Sequence, residues 1–214
     1  MRDFIQRDNF IKICGITNVQ DAKDSVARGA SALGMVLSES KRHVTPHAAA
    51  TIVDAVRETV LCVGVVRNES TEFVVHCVDT TRVDVVQVHG ILTDELRREL
   101  HRRGIGMIKA LGVADEEFLT FDERTVDAVL IDGPTPGSGE NHSWRVLEAR
   151  TFEVPIIAAG GLTPDNVNDV IRRVRPWGVD VATGVELSAG LKDLNLVAAF
   201  ITNAQNAFLK EGSK

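Results

Sequence analysis

Short apolar runs rich in β-branched residues alternate with polar or amphipathic stretches eight times along the 214 residues of this chain. This alternation predicts eight strands, each followed by a helix. The predicted strands cover residues 10–14, 32–37, 61–66, 83–88, 106–111, 128–132, 155–159 and 178–182. The predicted helices cover residues 20–28, 46–57, 72–79, 94–103, 115–121, 144–149, 165–174 and 194–210. Several strands, such as AVLI at 128–131, are almost continuously apolar, which is typical of parallel strands covered on both faces.

Eight strand–helix units favour an α/β fold of the (β/α)₈ TIM-barrel type. Each unit has about 27 residues, which is compact but adequate for such a barrel. An open, doubly wound sheet is the alternative, but the glycine-rich turn expected after its first strand is absent. Glycines follow the last two strands instead, where a barrel places its phosphate site. We therefore predict a single barrel domain over residues 10–214, preceded by a short polar extension over residues 1–9.

The composition argues against several classes of partner. A net charge of −6 disfavours a basic nucleic-acid-binding surface and a polybasic membrane surface. Cys14, Cys62 and Cys77 match no zinc-binding spacing, and we expect no metal. An odd number of unpatterned cysteines is typical of a reduced, intracellular protein. Because the sequence shows neither a signal peptide nor an apolar run of membrane-spanning length, we expect a cytoplasmic protein without nucleic-acid or membrane partners.

The first predicted strand ends in a cysteine, within KICGIT at 12–17. Side chains alternate along a strand, so Cys14 and Lys12 share one face. If this face points into the barrel, nearby positive charge favours a Cys14 thiolate that can act as a general base. The alternative is a buried cysteine used as a small hydrophobic residue. A lysine inside a barrel needs a partner, and our hypothesis is that Lys12 pairs with Asp180 on the last strand rather than pointing outward.

Two other strand ends carry polar side chains. Asp132 ends the sixth predicted strand, where partial burial would raise its pKa and suit a general acid. The alternative is an aspartate that begins a turn, because a Gly-Pro pair follows it. Gln87 and His89 share a face at the end of the fourth strand and could contact a substrate. The alternative for this histidine is a local backbone hydrogen bond.

The loops after strands two, seven and eight could bind an anionic substrate. Glycine lets backbone N–H groups approach a phosphate closely, and both of the last two turns carry glycine. We therefore predict a phosphate site at Gly160, Gly161, Thr183 and Gly184. The loop SKRH at 40–43 is basic, and Arg42 could bind a substrate carboxylate through its fork of donors. The alternative is a solvated basic loop before a helix that begins with proline.

The ordered motifs of the chain resemble those of phosphoribosylanthranilate isomerases. In order they are KICGIT at 12–17, DA at 21–22, SKR at 40–42, VGV at 63–65, VQVHG at 86–90, IKA at 108–110, LID at 130–132, AGGL at 159–162, DVATGVE at 180–186 and GLKD at 190–193. The resemblance covers about residues 10–205, and the shared order of so many motifs makes it specific. It implies a (β/α)₈ barrel that binds a small phosphorylated substrate.

The resemblance also implies a reaction, an Amadori rearrangement of N-(5-phosphoribosyl)anthranilate in tryptophan biosynthesis. By position, Asp132 would be the general acid that protonates the furanose ring oxygen and opens the ring to a Schiff base. Cys14 would be the general base that removes the proton from sugar C2, giving an enolamine that tautomerises to the ketone. Arg42 would hold the anthranilate carboxylate. No metal or organic cofactor is implied, because the nitrogen of the substrate relays the electrons, and we expect a monomer rather than a homodimer.

Three segments depart from the family pattern. The loop after the sixth strand reads PTPGSG at 134–139, where the family has Gly-Gly, Ser or Thr, and Gly. The stretch HSW at 142–144 replaces Phe-Asp-Trp, so a carboxylate is missing, and ATG at 182–184 replaces Ser-Ser-Gly but keeps a hydroxyl. We expect an active enzyme with a more mobile sixth loop.

Two other functions fit parts of the pattern. A related isomerase of histidine biosynthesis performs the same rearrangement on a bisphosphate, but it has an aspartate in place of Cys14 and a second phosphate site. A non-catalytic barrel that binds a phosphorylated ligand would explain the altered sixth loop, but it would not explain why both Cys14 and Asp132 are present.

Overall fold

Eight parallel strands close into a barrel in the computed structural model, which describes residues 9–114, 116–133 and 151–212. Each strand pairs with its neighbours in chain order, and the last strand pairs with the first. The strands are β1 Phe10–Cys14, β2 Ala32–Val36, β3 Leu61–Arg67, β4 Val85–His89, β5 Gly106–Gly112, β6 Ala128–Asp132, β7 Ile156–Ala159 and β8 Gly178–Val181. The predicted fold class is therefore confirmed.

Helices surround the barrel and alternate with most of its strands. They are α1 Val19–Ala27, α2 Pro46–Val56, α3 Thr71–Thr81, α4 Asp94–Arg102, α5 Val167–Val174 and α6 Leu194–Gly212. The first four begin at polar residues whose side chains accept a hydrogen bond from the first helical turn, namely Asn18, Thr45, Ser70 and Thr93. After β8 the chain forms a two-stranded antiparallel hairpin, β9 Glu186–Ser188 and β10 Leu191–Lys192. No helix in the described ranges is both long and apolar enough to span a bilayer.

The strands separate two layers of apolar side chains. Alternate residues such as Val63, Val65, Ile108 and Leu130 fill the barrel interior. The residues between them, such as Ile13, form the larger layer between barrel and helices. This division explains the continuous apolar runs, because each strand is covered on both faces.

Lys12 lies inside the barrel and crosses the seam where β1 meets β8. Its side chain is fully buried, and its Nζ lies 3.0 Å from Oδ1 of Asp180. The two residues are register partners across the seam. The hypothesis that Lys12 points inward and pairs with Asp180 is thus confirmed. The inward direction of Lys12 also puts Cys14 on the inner face.

Two predicted elements differ from the structure. The fifth predicted helix, at 115–121, is wrong: the 3₁₀ turn Glu116–Leu119 stands there, and a second 3₁₀ turn, Glu123–Thr125, follows it. Phe118 is the only buried residue of the first turn, while Leu119 is 67% exposed, so the segment lacks the apolar stripe that stabilises a helix against a barrel. The sixth predicted helix, at 144–149, lies outside the described residues.

Strand β4 begins two residues later than predicted. The carboxylate of Asp84 accepts a hydrogen bond from the backbone N–H of Cys62 at 3.0 Å. This side-chain contact takes the place of a backbone pair between β3 and β4. Regular pairing therefore begins at Val85, and Val83 lies before the strand although it is buried.

Replacing Lys12 with methionine should destabilise the fold, because it leaves the Asp180 carboxylate in the barrel without its cation. We expect the free energy of unfolding to fall by about 3–5 kcal/mol. Urea denaturation followed by circular dichroism measures the change. The matched control is Lys23→Met at an exposed position of α1. Equal stability of the two variants would show that the ion pair contributes nothing.

Candidate active site

A cavity of about 340 Å³ opens at the carboxyl ends of the strands, and every site residue predicted from the sequence lines it. Those residues are Cys14, Arg42, Gln87, His89, Asp132, Gly160, Gly161, Thr183 and Gly184. The cavity is in the size range of small-molecule sites, and the carboxyl face is where barrel enzymes carry their active sites. The structure thus brings the predicted residues together, while their individual roles remain predictions.

Cys14 lies at the end of β1, directly above the buried Lys12–Asp180 pair. Its side chain is only 8% exposed. Its register partner on β2 is Gly34. A β-carbon added to Gly34 would lie 2.8 Å from Sγ of Cys14 and 3.0 Å from Nζ of Lys12. A glycine inside a strand often marks such a close approach. Gly34 therefore makes the space that the thiol and the ammonium share.

Burial controls the protonation of this thiol. It raises the pKa of Cys14 above its ordinary value, although the neighbouring Lys12 ammonium opposes the shift. Burial also disfavours the charged form of Lys12, but Asp180 and Cys14 together outweigh it and raise the pKa of that ammonium. The Lys12 ammonium does favour a thiolate, as predicted, but burial outweighs it, so the pKa of Cys14 rises rather than falls. Burial thus favours the neutral thiol of Cys14 over its thiolate.

The two glycine-bearing turns pack tightly against each other and against the end of β6. Gly160 has a φ of +83°, and a β-carbon there would lie 2.7 Å from Oδ1 of Asp132. A β-carbon on Gly184 would overlap the carbonyl oxygen of Leu162. The backbone N–H of Gly133 donates to the carbonyl oxygen of Ala159 at 2.9 Å. Glycine is therefore required where these turns meet, beside the Asp132 carboxylate.

Gln87 and His89 both face the cavity from β4, as their alternation predicts. Nε2 of Gln87 lies 2.9 Å from Nε2 of His89. Gln87 is 1% exposed, and within the described residues its Oε1 has no hydrogen-bond partner. This arrangement leaves an acceptor beside the cavity.

Arg42 reaches from the loop after β2 to the loop after β8. Its Nε lies 2.9 Å from Oε1 of Glu186, its Nη2 lies 2.6 Å from Oε2, and Nη2 also contacts Oγ1 of Thr183 at 2.9 Å. Although burial alone would raise it, the pKa of Glu186 falls to about 2 because Arg42 and Lys192 both bind this carboxylate. A fixed guanidinium therefore borders the cavity on the side of the predicted phosphate turns.

Sequence reasoning missed Gly34, Glu186 and Lys192. The signal for Gly34 was a glycine in the interior of a predicted strand, which predicts a close approach. Glu186 and Lys192 lie in motifs of the resemblance, but nothing in their spacing shows that they meet. Their contact depends on the hairpin, because Lys192 and Glu186 are partners across β9 and β10.

The fold and the cavity define a class of protein: a (β/α)₈ barrel with glycine-bearing turns after its last two strands and titratable side chains at its mouth. The model of the family described as N-(5'-phosphoribosyl)anthranilate (PRA) isomerase matches residues 11–203. The chain belongs to this family, whose members are isomerases.

Known proteins resemble the chain over nearly its whole length. N-(5'-phosphoribosyl)anthranilate isomerase of Trichlorobacter lovleyi is 40% identical over 204 residues, which cover 92% of this chain and 98% of that protein. A phosphoribosyl anthranilate isomerase solved with reduced 1-(o-carboxyphenylamino)-1-deoxyribulose 5-phosphate is 36% identical, with a TM-score of 0.78, and the match covers 92% of this chain and 99% of that one. Monomers generated from the dimeric isomerase of Thermotoga maritima are also 36% identical, with a TM-score of 0.77, over 92% of this chain and 98% of that one.

Substituting Gly34 with alanine should lower turnover, because the added methyl group would displace the Cys14 thiol. The backbone of Gly34 is outside the left-handed region, so the substitution adds no backbone strain and affects the contacts with Cys14 and with the end of the Lys12 side chain. We expect a loss of about tenfold to a hundredfold in kcat. The matched control is Gly64→Ala on β3, where a β-carbon meets Leu37 and Val83 in the outer layer. If both variants turned over equally fast, Gly34 would have no role in placing the thiol.

The Glu186 carboxylate should make stability depend on acid pH. Its pKa is about 2 in the folded protein, against an ordinary value of 4.5, so the unfolded chain binds the proton more readily. Its contribution is therefore complete above about pH 5 and is lost as pH falls towards 2, a total of about 3 kcal/mol. Urea unfolding of wild type and Glu186→Gln should show a stability difference that shrinks from pH 6 to pH 3. The exposed Glu58→Gln is the control, and a gap for Glu186→Gln that stayed constant with pH would contradict the assignment.

Proposed function

We propose that this chain converts N-(5-phosphoribosyl)anthranilate into 1-(2-carboxyphenylamino)-1-deoxyribulose 5-phosphate, a step of tryptophan biosynthesis, by acid–base catalysis. The observation that carries the proposal is that one cavity is lined by the Cys14 thiol, the Asp132 carboxyl group and both glycine-bearing turns. An aldose-to-ketose rearrangement needs one group that gives a proton and one that takes a proton. These two side chains supply both.

The proposed reaction begins at the ring oxygen of the ribose. Asp132, as the carboxylic acid, gives its proton to this oxygen, and the C1–O bond breaks while the nitrogen lone pair forms the protonated Schiff base. The Cys14 thiolate then takes the proton from C2, and the electrons of that C–H bond flow towards the nitrogen to give the enolamine. C1 then gains a proton while the C2 hydroxyl loses its proton, and this tautomerisation gives the ketone. The substrate nitrogen serves as the electron relay, so the proposed steps require no metal or organic cofactor.

The upward shift in the pKa of Cys14 has a consequence for this sequence of steps, because it favours the neutral thiol. Ring opening creates a positive charge on the substrate nitrogen, and a nearby cation favours the thiolate over the thiol. Once the Schiff base has formed, the thiol gives its proton to the Asp132 carboxylate, which lost its own proton in ring opening, and the resulting thiolate is the base that acts on C2. Burial of the Cys14 thiol also limits its reaction with molecules other than the substrate, since the thiolate is the reactive species.

The remaining cavity residues would hold the two anionic ends of the substrate. We assign the phosphate to the backbone amides around Gly160 and Gly184, and the anthranilate carboxylate to Arg42. Gln87 and His89 are assigned to the sugar, since Gln87 offers an unpartnered acceptor among the described residues. In the first two assignments, each anionic end of the substrate would meet hydrogen-bond donors that the protein already holds in place.

Several broader properties belong to the same proposal. Residues 10–214 would act as one catalytic domain on a small phosphorylated molecule, without nucleic-acid or membrane partners, in the cytoplasm. We propose a monomer, and a homodimer is the alternative, since the similar Thermotoga maritima isomerase is described as dimeric. Sedimentation of the purified protein distinguishes the two. The expected mobility of the loop at 134–139 concerns residues outside the described ranges and remains a prediction.

Loss of anthranilate fluorescence on adding freshly prepared substrate tests the activity and the two roles. We expect turnover by wild type, and a reduction of about a hundredfold or more for Cys14→Ala and for Asp132→Asn, because each variant removes one proton-transferring group. Cys62→Ala and Asp127→Asn are the matched controls. Cys62 is buried in the outer layer, and Asp127 binds the backbone N–H of Met107 just before β6 begins.

Each result would bear on a different part of the proposal. An inert wild type would favour the non-catalytic barrel. Full activity of Cys14→Ala would remove the base assignment, and full activity of Asp132→Asn would remove the acid assignment. Equal losses in the control variants would show that the effects come from destabilisation rather than from chemistry.

A further inference from the structure

The hairpin after β8 carries two buried charged residues that the proposed chemistry does not use. Glu186 begins β9 and Lys192 ends β10, and their side chains are 2% and 0% exposed. Their charged atoms lie 2.8 Å apart. Ionised groups are rarely buried unless they are paired, and well-packed apolar residues often stabilise a fold as much as a buried pair does. These two residues therefore need an explanation beyond holding the hairpin.

Glu186 connects the hairpin to the cavity. One of its oxygens, Oε1, receives Lys192, the backbone N–H of Gly190 at 3.2 Å and Nε of Arg42 at 2.9 Å. The other, Oε2, receives Nη2 of Arg42 at 2.6 Å. Two parallel contacts of this kind fix the plane of a guanidinium as well as its position. Glu186 thus holds one edge of Arg42.

Lys192 anchors Glu186 to the barrel itself. Its Nζ donates to the backbone oxygen of Cys14 at 2.5 Å, and its backbone N–H donates to Oδ2 of Asp21 at 3.0 Å. The ammonium therefore binds both the carboxylate that holds Arg42 and the end of the strand that bears the thiol.

The path from Arg42 to Glu186 passes over Gly15. A β-carbon at Gly15 would lie 2.5 Å from Cδ of Arg42 and 3.3 Å from Oε1 of Glu186. Gly15 also has a φ of +77°, which an L side chain rarely adopts. The absence of a β-carbon leaves space for the arginine side chain, and the positive φ is a second reason why glycine suits this position.

The contacts with Glu186 occupy one edge of the Arg42 guanidinium and leave another part of it available. Within the described residues, Nη1 of Arg42 makes no hydrogen bond, and Arg42 lines the cavity. Arg42 and Lys192 share the Glu186 carboxylate, while the Asp21 carboxylate accepts only from the backbone N–H of Lys192, so part of the Arg42 guanidinium has no anionic partner among the described residues. This arrangement suits a carboxylate of the ligand.

We propose that Glu186 and Lys192 are positioning residues that hold Arg42 in the orientation in which it binds the carboxylate of the ligand. The inference rests on the proposed role of Arg42 and adds two residues that act through it. Free arginine side chains lose rotamer freedom on binding a ligand. A guanidinium that is already held pays less of this entropy when the carboxylate arrives.

The test compares two ligands that differ only in the carboxyl group. The first is reduced 1-(o-carboxyphenylamino)-1-deoxyribulose 5-phosphate, and the second is its phenylamino counterpart without the carboxyl group. Calorimetric titration gives the Kd of each for wild type, Arg42→Ala, Glu186→Gln, Lys192→Met and the double variant Arg42→Ala/Glu186→Gln. The control is Glu117→Gln, which removes a carboxylate paired with the buried Lys109 away from the cavity.

We expect Arg42→Ala to weaken the carboxylated ligand by about tenfold or more, and Glu186→Gln and Lys192→Met to weaken it by about threefold to tenfold. The ligand without the carboxyl group should bind all variants as it binds wild type, which also shows that the variants are folded. The double variant should bind the carboxylated ligand no more weakly than Arg42→Ala alone, because Glu186 acts through Arg42.

Different failures have different meanings. If Arg42→Ala weakens both ligands equally, the proposed role of Arg42 is wrong. If Arg42→Ala discriminates between the ligands but Glu186→Gln and Lys192→Met do not, the role of Arg42 stands and the positioning proposal is overturned. Additive losses in the double variant would also overturn it.

Discussion

The ion pair between Lys12 and Asp180 is the interaction on which the site depends. It crosses the seam of the barrel, and both partners are inside the barrel. Because side chains alternate along a strand, an inward Lys12 requires an inward Cys14. Burial outweighs the Lys12 ammonium and raises the pKa of the Cys14 thiol, while that ammonium still opposes the shift. One buried contact therefore sets where the thiol points and which cation lies beside it.

The barrel could be predicted from the sequence because its strands are buried on both faces, and continuous apolar runs indicate such strands directly. Prediction failed where local pattern and tertiary packing disagree. The segment after β5 contains enough helix-forming residues for a helix, yet only Phe118 reaches the core, so a single 3₁₀ turn forms. Val83 is apolar and buried but precedes β4, because the Asp84 side chain replaces a backbone partner there.

The site was predictable where function lies at strand ends and in glycine-bearing turns, and less so where it depends on contacts between distant segments. Arg42 was predicted as a carboxylate-binding residue from its own loop alone. Its partner Glu186 lies 144 positions away, and the hairpin that brings Lys192 to Glu186 has no signal as strong as the barrel strands. The direction of the Cys14 pKa shift was also beyond sequence, because it depends on the balance between burial and a cation that is already paired.

Proton removal from the substrate by Cys14 is the central claim, and release of deuterium from substrate labelled at C2 of the ribose measures it most directly. The account predicts that wild type releases the label to water as product forms, and that Cys14→Ala, compared in the same assay, releases almost none. The claim would be contradicted if Cys14→Ala released the label as fast as wild type.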